Sequence, residues 1–265
     1  MKIYPRQLKH LLSRLIVFLL ALNAFGINAD VFVAGLNALD RNHYASAYRS
    51  FKPLADTGVA EAQNNIGFLY QNGLGVRRNY NTAIKWYERA ADQGLAEAEH
   101  NLGMLNYWGY GLSQDYTIAR RWFAKSAKKG LKNSHYMMGL MFFKGEGSQV
   151  STTRASHHFR EAAKSGDANG QYMLAHMIVS GDAESTYKKS SERSSPFDFE
   201  VFGSKASDQL VASLTLALLA SQNGLDSGNQ LAEFLKFQLD DDEISTADTL
   251  AQECLATDYK KCRIF

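Results

Sequence analysis

Apolar positions recur along this chain with helical spacing, and the helices they predict come in pairs. The stretch 60–72, AEAQNNIGFLYQN, places Ala62, Ile66, Leu69 and Tyr70 three and four residues apart, which lays one apolar stripe along a helix. Gly73-Leu74-Gly75 breaks that helix, and a second one is predicted over about 80–93. Asn79 stands where an N-cap is needed, and Gly94 can take the left-handed conformation that ends a helix. No stretch alternates with the period of two that a strand requires.

The pair returns every 36 residues. Gly67, Gly103 and Gly139 share one column, continued by Ala175, and Gly58, Gly94, Gly130 and Gly166 share another. Gly73, Gly109, Gly145 and Gly181 form a third, with Gly75, Gly111 and Gly147 beside it. An aromatic column runs Phe51, Tyr87, Phe123, Phe159, and small residues align at Ala47, Ala83, Ala119 and Ala155. Asn79, Asp115 and Ser151 hold the same N-cap position. Self-similarity at such a period is the mark of a repeat array. Gly67 and its equivalents fall inside a helix, where Gly costs about 1 kcal/mol against Ala. Close approach of a neighbouring helix is the expected return.

On these residues a family resemblance can be stated. AEAQNNIGFLYQNGLGVRRNYNTAIKWYERAADQG resembles the Sel-like repeat, a relative of the tetratricopeptide repeat, and AEAEHNLGMLNYWGYGLSQDYTIARRWFAKSAKKG resembles it equally well. NSHYMMGLMFFKGEGSQVSTTRASHHFREAAKSG is a third copy, with His158 where the others have Trp86 and Trp122. VFVAGLNALDRNHYASAYRSFKPLADTG looks like the degenerate first unit of exported bacterial members. A fifth unit opens at Ala168, is interrupted, and resumes as LVASLTLALLASQNG. LDDDEISTADTLAQECLATDYKKC looks like a terminal capping helix. The expected organisation is therefore units at about 30–59, 60–95, 96–131, 132–167 and 168–225, with an insertion at 182–209 and a cap at 226–262. Two-helix units of this kind bury their apolar faces by stacking, which implies an all-α solenoid, a right-handed superhelix with a concave groove.

The N-terminus reads as an address. Residues 1–14 carry Lys2, Arg6, Lys9 and Arg14 with no acid, and Leu15–Leu22 is an unbroken apolar run followed by small residues. That is the layout of a secretory signal peptide, cut after Ala29 or after Gly26, and the run is short of the ~20 residues that span a bilayer. Cleavage after Ala29 removes four of the 29 basic residues and none of the 27 acids, turning a formal net charge of +2 into −2. Nothing in that balance favours nucleic acid, which requires concentrated positive charge. The two cysteines, Cys254 and Cys262, are close in sequence, and in an oxidising compartment they form a disulfide that staples the chain end.

Candidate chemistry is sparse. The paired glycines at 73/75, 109/111 and 145/147 lack the preceding strand and third glycine of a nucleotide loop, and they recur with the repeat, so they read as turns. His43, His100, His135, His157, His158 and His176 show no metal-binding spacing, and His157 and His158 are expected on different faces of a helix. Some cysteine-rich relatives of the family have been linked to penicillin binding and β-lactam hydrolysis. S-x-x-K does occur at Ser126/Lys129 and Ser185/Lys188, but S-D-N and K-T-G are missing. No catalytic residue, metal site or cofactor is assigned.

The informative feature is a second apolar face on the first helices. Opposite Ala62/Ile66/Leu69 lie positions spaced four and seven apart: Asn64, Phe68 and Gln71; His100, Met104 and Tyr107, with Trp108 beside them; Tyr136, Leu140 and Phe143; Tyr172, His176 and Val179. A surface helix is polar on this side. Stacked, these faces predict an aromatic and Met-rich strip lining the groove, or else packing between neighbouring repeats. Exposed, such a strip marks an interaction site. The serine-rich insertion is either a tolerated loop or a clasp using Phe197, Phe199 and Phe202. The expected function is a non-enzymatic, periplasmic protein-binding scaffold, with a secreted or surface factor that binds a host protein as the alternative and a cell-wall or β-lactam enzyme as a third class. The resemblance implies an envelope sensor, a peptidoglycan enzyme or a host protein as partner.

Overall fold

The computed structural model describes residues 29–183 and 202–265, and among them every regular element is a helix. Helix α1 spans 29–40. It is followed by α2 (Tyr44–Asp56), α3 (Ala60–Asn72), α4 (Tyr80–Asp92), α5 (Ala96–Trp108), α6 (Tyr116–Lys128), α7 (Lys132–Lys144) and α8 (Thr152–Lys164). Then come α9 (Ala168–Val179), α10 (Phe202–Gln222), α11 (Asp226–Lys236) and α12 (Asp241–Ala256). The signal segment expected at 1–29 lies almost wholly outside the described residues. The same holds for most of the insertion, including Phe197, Phe199, Ser185 and Lys188.

Local chemistry places the helix ends as the repeat requires. The side chains of Asn79, Asp115 and Ser151 accept the backbone N–H of Thr82, Ile118 and Arg154, so each second helix begins on a satisfied donor. Each first helix of the three regular units ends on a left-handed glycine, Gly73, Gly109 or Gly145, at φ +69°, +71° and +77°. The glycine two residues on has a separate reason. A Cβ on Gly75 would stand 2.6 Å from the backbone of Tyr44 and Ala45, and one on Gly147 2.6 Å from Tyr116. The paired glycines therefore end one helix and let the turn settle on the start of the preceding second helix.

The described chain forms two compact units. One runs through Leu105 and includes Gly109–Ser113; the other holds Asn106–Trp108 and Gln114–Phe265. In the first, Phe51, Ile66, Leu69 and Tyr87 are fully buried between the pairs α1/α2 and α3/α4, with Trp86 at the edge of the core. A Cβ on Gly67 would lie 2.7 Å from the ring of Tyr87, so the glycine inside α3 admits the aromatic of α4. In the second unit Gly139 does the same for Phe159.

The C-terminal part departs from the sequence expectation in two ways. Helix α10 begins at Phe202, so the last eight residues assigned to the insertion are its opening turns. The cap is two helices, α11 and α12, rather than one. Asp240 and Glu243 form a reciprocal capping box that starts a new helix, while Phe237 ends the one before.

Candidate functional site

The first-helix face is where the sequence placed a site, and the structure sorts its residues into three groups. Phe68 (40% exposed), Trp108 (52%) and Val179 (38%) stand open to solvent, as does His176. His100, Met104, Tyr136, Leu140, Phe143 and Tyr172 are half-buried, each showing part of its side chain. Tyr107 is different. It is 4% exposed, and its hydroxyl donates to Glu146 Oε2 at 2.7 Å.

The burial of Tyr107 corrects the expectation that it would line an open groove, and its cause is local. Gln114 reaches back to the Tyr107 carbonyl at 2.8 Å, so the loop leaving α5 folds over the helix end. Tyr116 and Phe123 pack edge-on against its ring at 5.2 and 6.5 Å between centroids. Burial, the bond to Glu146 and that carboxylate's charge push the Tyr107 hydroxyl well above the usual phenol range. The corresponding Gln71 accepts a hydrogen bond from Tyr87 at 2.9 Å, so there too the residue meets the second helix of its pair. Trp108, one residue on, is the aromatic that faces out.

Burial also governs the histidines. Desolvation lowers the imidazole of His100 to a pKa of about 4, which keeps it uncharged at neutral pH. His157 and His158, expected on different faces, have ring centroids 5.3 Å apart. His158 Nδ1 lies 3.2 Å from His135 Nδ1. The spacing rules for one helix could not show that second contact, because His135 comes from α7. Among the described residues, no cluster of three or more His, Cys, Asp or Glu is arranged to hold a metal ion.

The serine candidate has no access. Ser126 is fully buried, and its hydroxyl accepts a hydrogen bond from Ser134 at 2.8 Å. The cysteine sulfurs lie at bonding distance with Cα atoms 4.5 Å apart, within the range of disulfides. Around them Asp258 and Tyr259 take left-handed backbone at φ +48° and +62°, Arg263 pairs with Glu253, and Ile264 is buried.

A family model described as the Sel1 repeat matches residues 60–95, 96–131 and 132–167. Each match coincides with one helix pair: α3/α4, α5/α6 and α7/α8. Residues 60–167 are three tandem Sel1 repeats. A Sel1 repeat protein from Oxalobacter formigenes shares 24% identity at a TM-score of 0.59, covering 76% of this chain and 74% of that one. The protein c5321, a protective antigen of uropathogenic Escherichia coli strains with an SLR fold, shares 24% at a TM-score of 0.64, covering 89% of this chain. The present chain spans 48% of that antigen's length. At this identity both neighbours speak to the fold, the all-α solenoid class of tandem helix pairs. None of the curated proteins matches. Sel1 repeat proteins generally mediate protein–protein interaction and are generally not catalysts. No helix among the described residues is long and apolar enough to cross a membrane.

Proposed function

We propose that this Sel1 repeat protein is an exported, non-enzymatic scaffold of the cell envelope that binds a partner protein on its first-helix faces. The observation that carries the reading is the set of apolar side chains left at the surface of helices whose opposite face already fills the core. Trp108, the half-exposed Tyr136, Leu140, Phe143 and Tyr172, and His176 form that set in one compact unit. Phe68, with His100 and Met104, forms it in the other. Helix α9 adds to the argument: apart from His176 it has no basic residue and no acid, which suits an apolar, uncharged contact. Tyr, Trp and Met are the residue types enriched at such contacts.

The basic-then-apolar N-terminus and the Cys254/Cys262 pair support export, with the pair bonded as a disulfide in the mature protein. Periplasmic residence is the first choice, and an envelope sensor or a peptidoglycan-cleaving enzyme is the partner class implied. The alternative is a surface or secreted factor binding a host protein, and the antigen among the structural neighbours keeps that reading open. Cell fractionation separates them, since recovery from the medium or outer surface favours the second. The reading itself is tested by Trp108→Ala with Tyr172→Ala. Partner capture is expected to fall by at least ~30-fold, the effect of losing interface anchors, while the melting temperature holds. Unchanged capture contradicts it.

A further inference from the structure

His135 and His158 stand at two columns of the repeat: the first holds Gln63, Glu99 and Gln171 in other units, the second Trp86 and Trp122, and the unit at 132–167 replaces both with histidine. At the first position Gln63 donates to the Ala55 carbonyl at 3.2 Å, and Gln171 donates to Ala163 at 3.3 Å. These amides clasp the start of one unit to the end of the previous one. His135 holds the same register, and the Ala127 carbonyl is its backbone partner. The clasp is kept, but an imidazole makes it.

The second position is the Trp column. Trp86 carries the guanidinium of Arg89 at 4.6 Å from its ring, and Trp122 carries the ammonium of Lys125 at 4.2 Å. In the unit at 132–167 the aromatic becomes His158 and the cation three residues on becomes Glu161. A ring that receives a cation has been exchanged for one that can become a cation, and its neighbour has changed sign to match. The two substituted residues then face one another, Nδ1 to Nδ1 at 3.2 Å, with Phe142 stacked on His158 at 5.6 Å and 13°.

We propose that the His135–His158 pair is an acid-responsive joint, which holds α7 to α6 and α8 when neutral and loosens them when it takes up protons. One Nδ1–H and one lone pair satisfy a 3.2 Å contact, so the neutral pair is bonded. A doubly protonated pair sets two N–H donors against each other with no acceptor between them. The other ionisable groups acting on the rings are His157, which opposes protonation, and Glu161, which favours it. Glu161 is already engaged by Lys164 at 2.8 Å. Arg154 stands over Phe142 at 5.1 Å, a further positive charge beside the stack. From α6 the pair meets the Ala127 carbonyl, and Asp167 ahead of α9 is turned to Lys132 and its own helix N-terminus.

The sign follows from linkage. Burial is the largest cause lowering both rings, His158 to about 4 against the ordinary 6.5. Between those values the unfolded chain binds more protons, so stability is complete above about pH 6.5 and is lost as pH falls toward 4. His100 titrates in the same window, so the joint is isolated by comparison with a variant. His135→Gln with His158→Trp installs the pair found at 60–95, Gln63 and Trp86, and removes the titration.

The test is urea unfolding of the mature protein and of that double variant at pH 7.5 and pH 5.0. The wild type is expected to gain on the order of tenfold more in its unfolding constant than the variant does over that interval. Equal pH dependence in the two overturns the proposal. Histidine side-chain NMR of the wild type guards against a variant that does not fold. Two coupled titrations displaced below 6.5 support the joint, and two independent titrations near 6.5 overturn it.

Discussion

Gly139 shows how much one residue decides in this array. Helix propensity alone predicts that Gly139→Ala stabilises the protein, by about 1 kcal/mol. The structure reverses the sign, because the new Cβ would lie 2.6 Å from the ring of Phe159. Overpacking of that kind costs about 1–3 kcal/mol, and a lowered melting temperature is the expected outcome. A higher one would show that the helices can part. Tyr107 and Trp108 make a second contrast. Tyr107→Phe removes a hydrogen bond to a carboxylate and is expected to cost about 1.5–3 kcal/mol. Trp108→Ala is expected to shift stability by no more than about 0.5 kcal/mol, the range for exposed positions. Thermal melts of the two variants check both.

The reversal at Tyr107 also marks where the sequence stops being informative at this scale. Helical periodicity puts it on the same face as His100 and Met104. The loop that folds back through Gln114 and the carboxylate of Glu146, which bury it, are tertiary partners that periodicity does not contain. The meeting of His135 with His158 is hidden for the same reason, although His158 stands out from its Trp column.

At the scale of elements, the repeat made the fold legible. A column of N-cap residues, two glycine columns and one aromatic column give the starts, the ends and the buried sides of the helix pairs in 60–167. Where the repeat fades, so does legibility: the opening turns of α10 look like loop by composition, and the acidic run around Asp240 hides the capping box there. The chain end supplies the prediction here. A Cys254–Cys262 bond, which the sulfur positions allow, would close a loop with a sequence separation of 8. Tyr259, inside that loop, accepts a hydrogen bond from Asn223 at 2.6 Å, and Asn223 also donates to Gln171 at 2.9 Å. Reduction is expected to cost roughly 2–3 kcal/mol and to lower the melting temperature. Thiol titration of the purified protein checks the premise, because two free thiols before reduction would contradict it.

For the whole molecule, fold and function rest on different grounds. Tandem helix pairs follow from local rules repeated along the chain, and the Sel1 match agrees with them residue for residue over 60–167. Function depends on which side chains the folded chain leaves uncovered, and for that the sequence offers two faces without saying which is open. The proposed scaffold role requires that the first-helix face receive a partner protein. The most direct measurement is in-cell photocrosslinking from a reactive residue at position 108 or 172, with position 121 on the exposed side of α6 as control, followed by mass spectrometry. A partner-binding face yields one dominant protein captured from both face positions and none from the control. Crosslinks only within the chain, or the same products from all three positions, would contradict it.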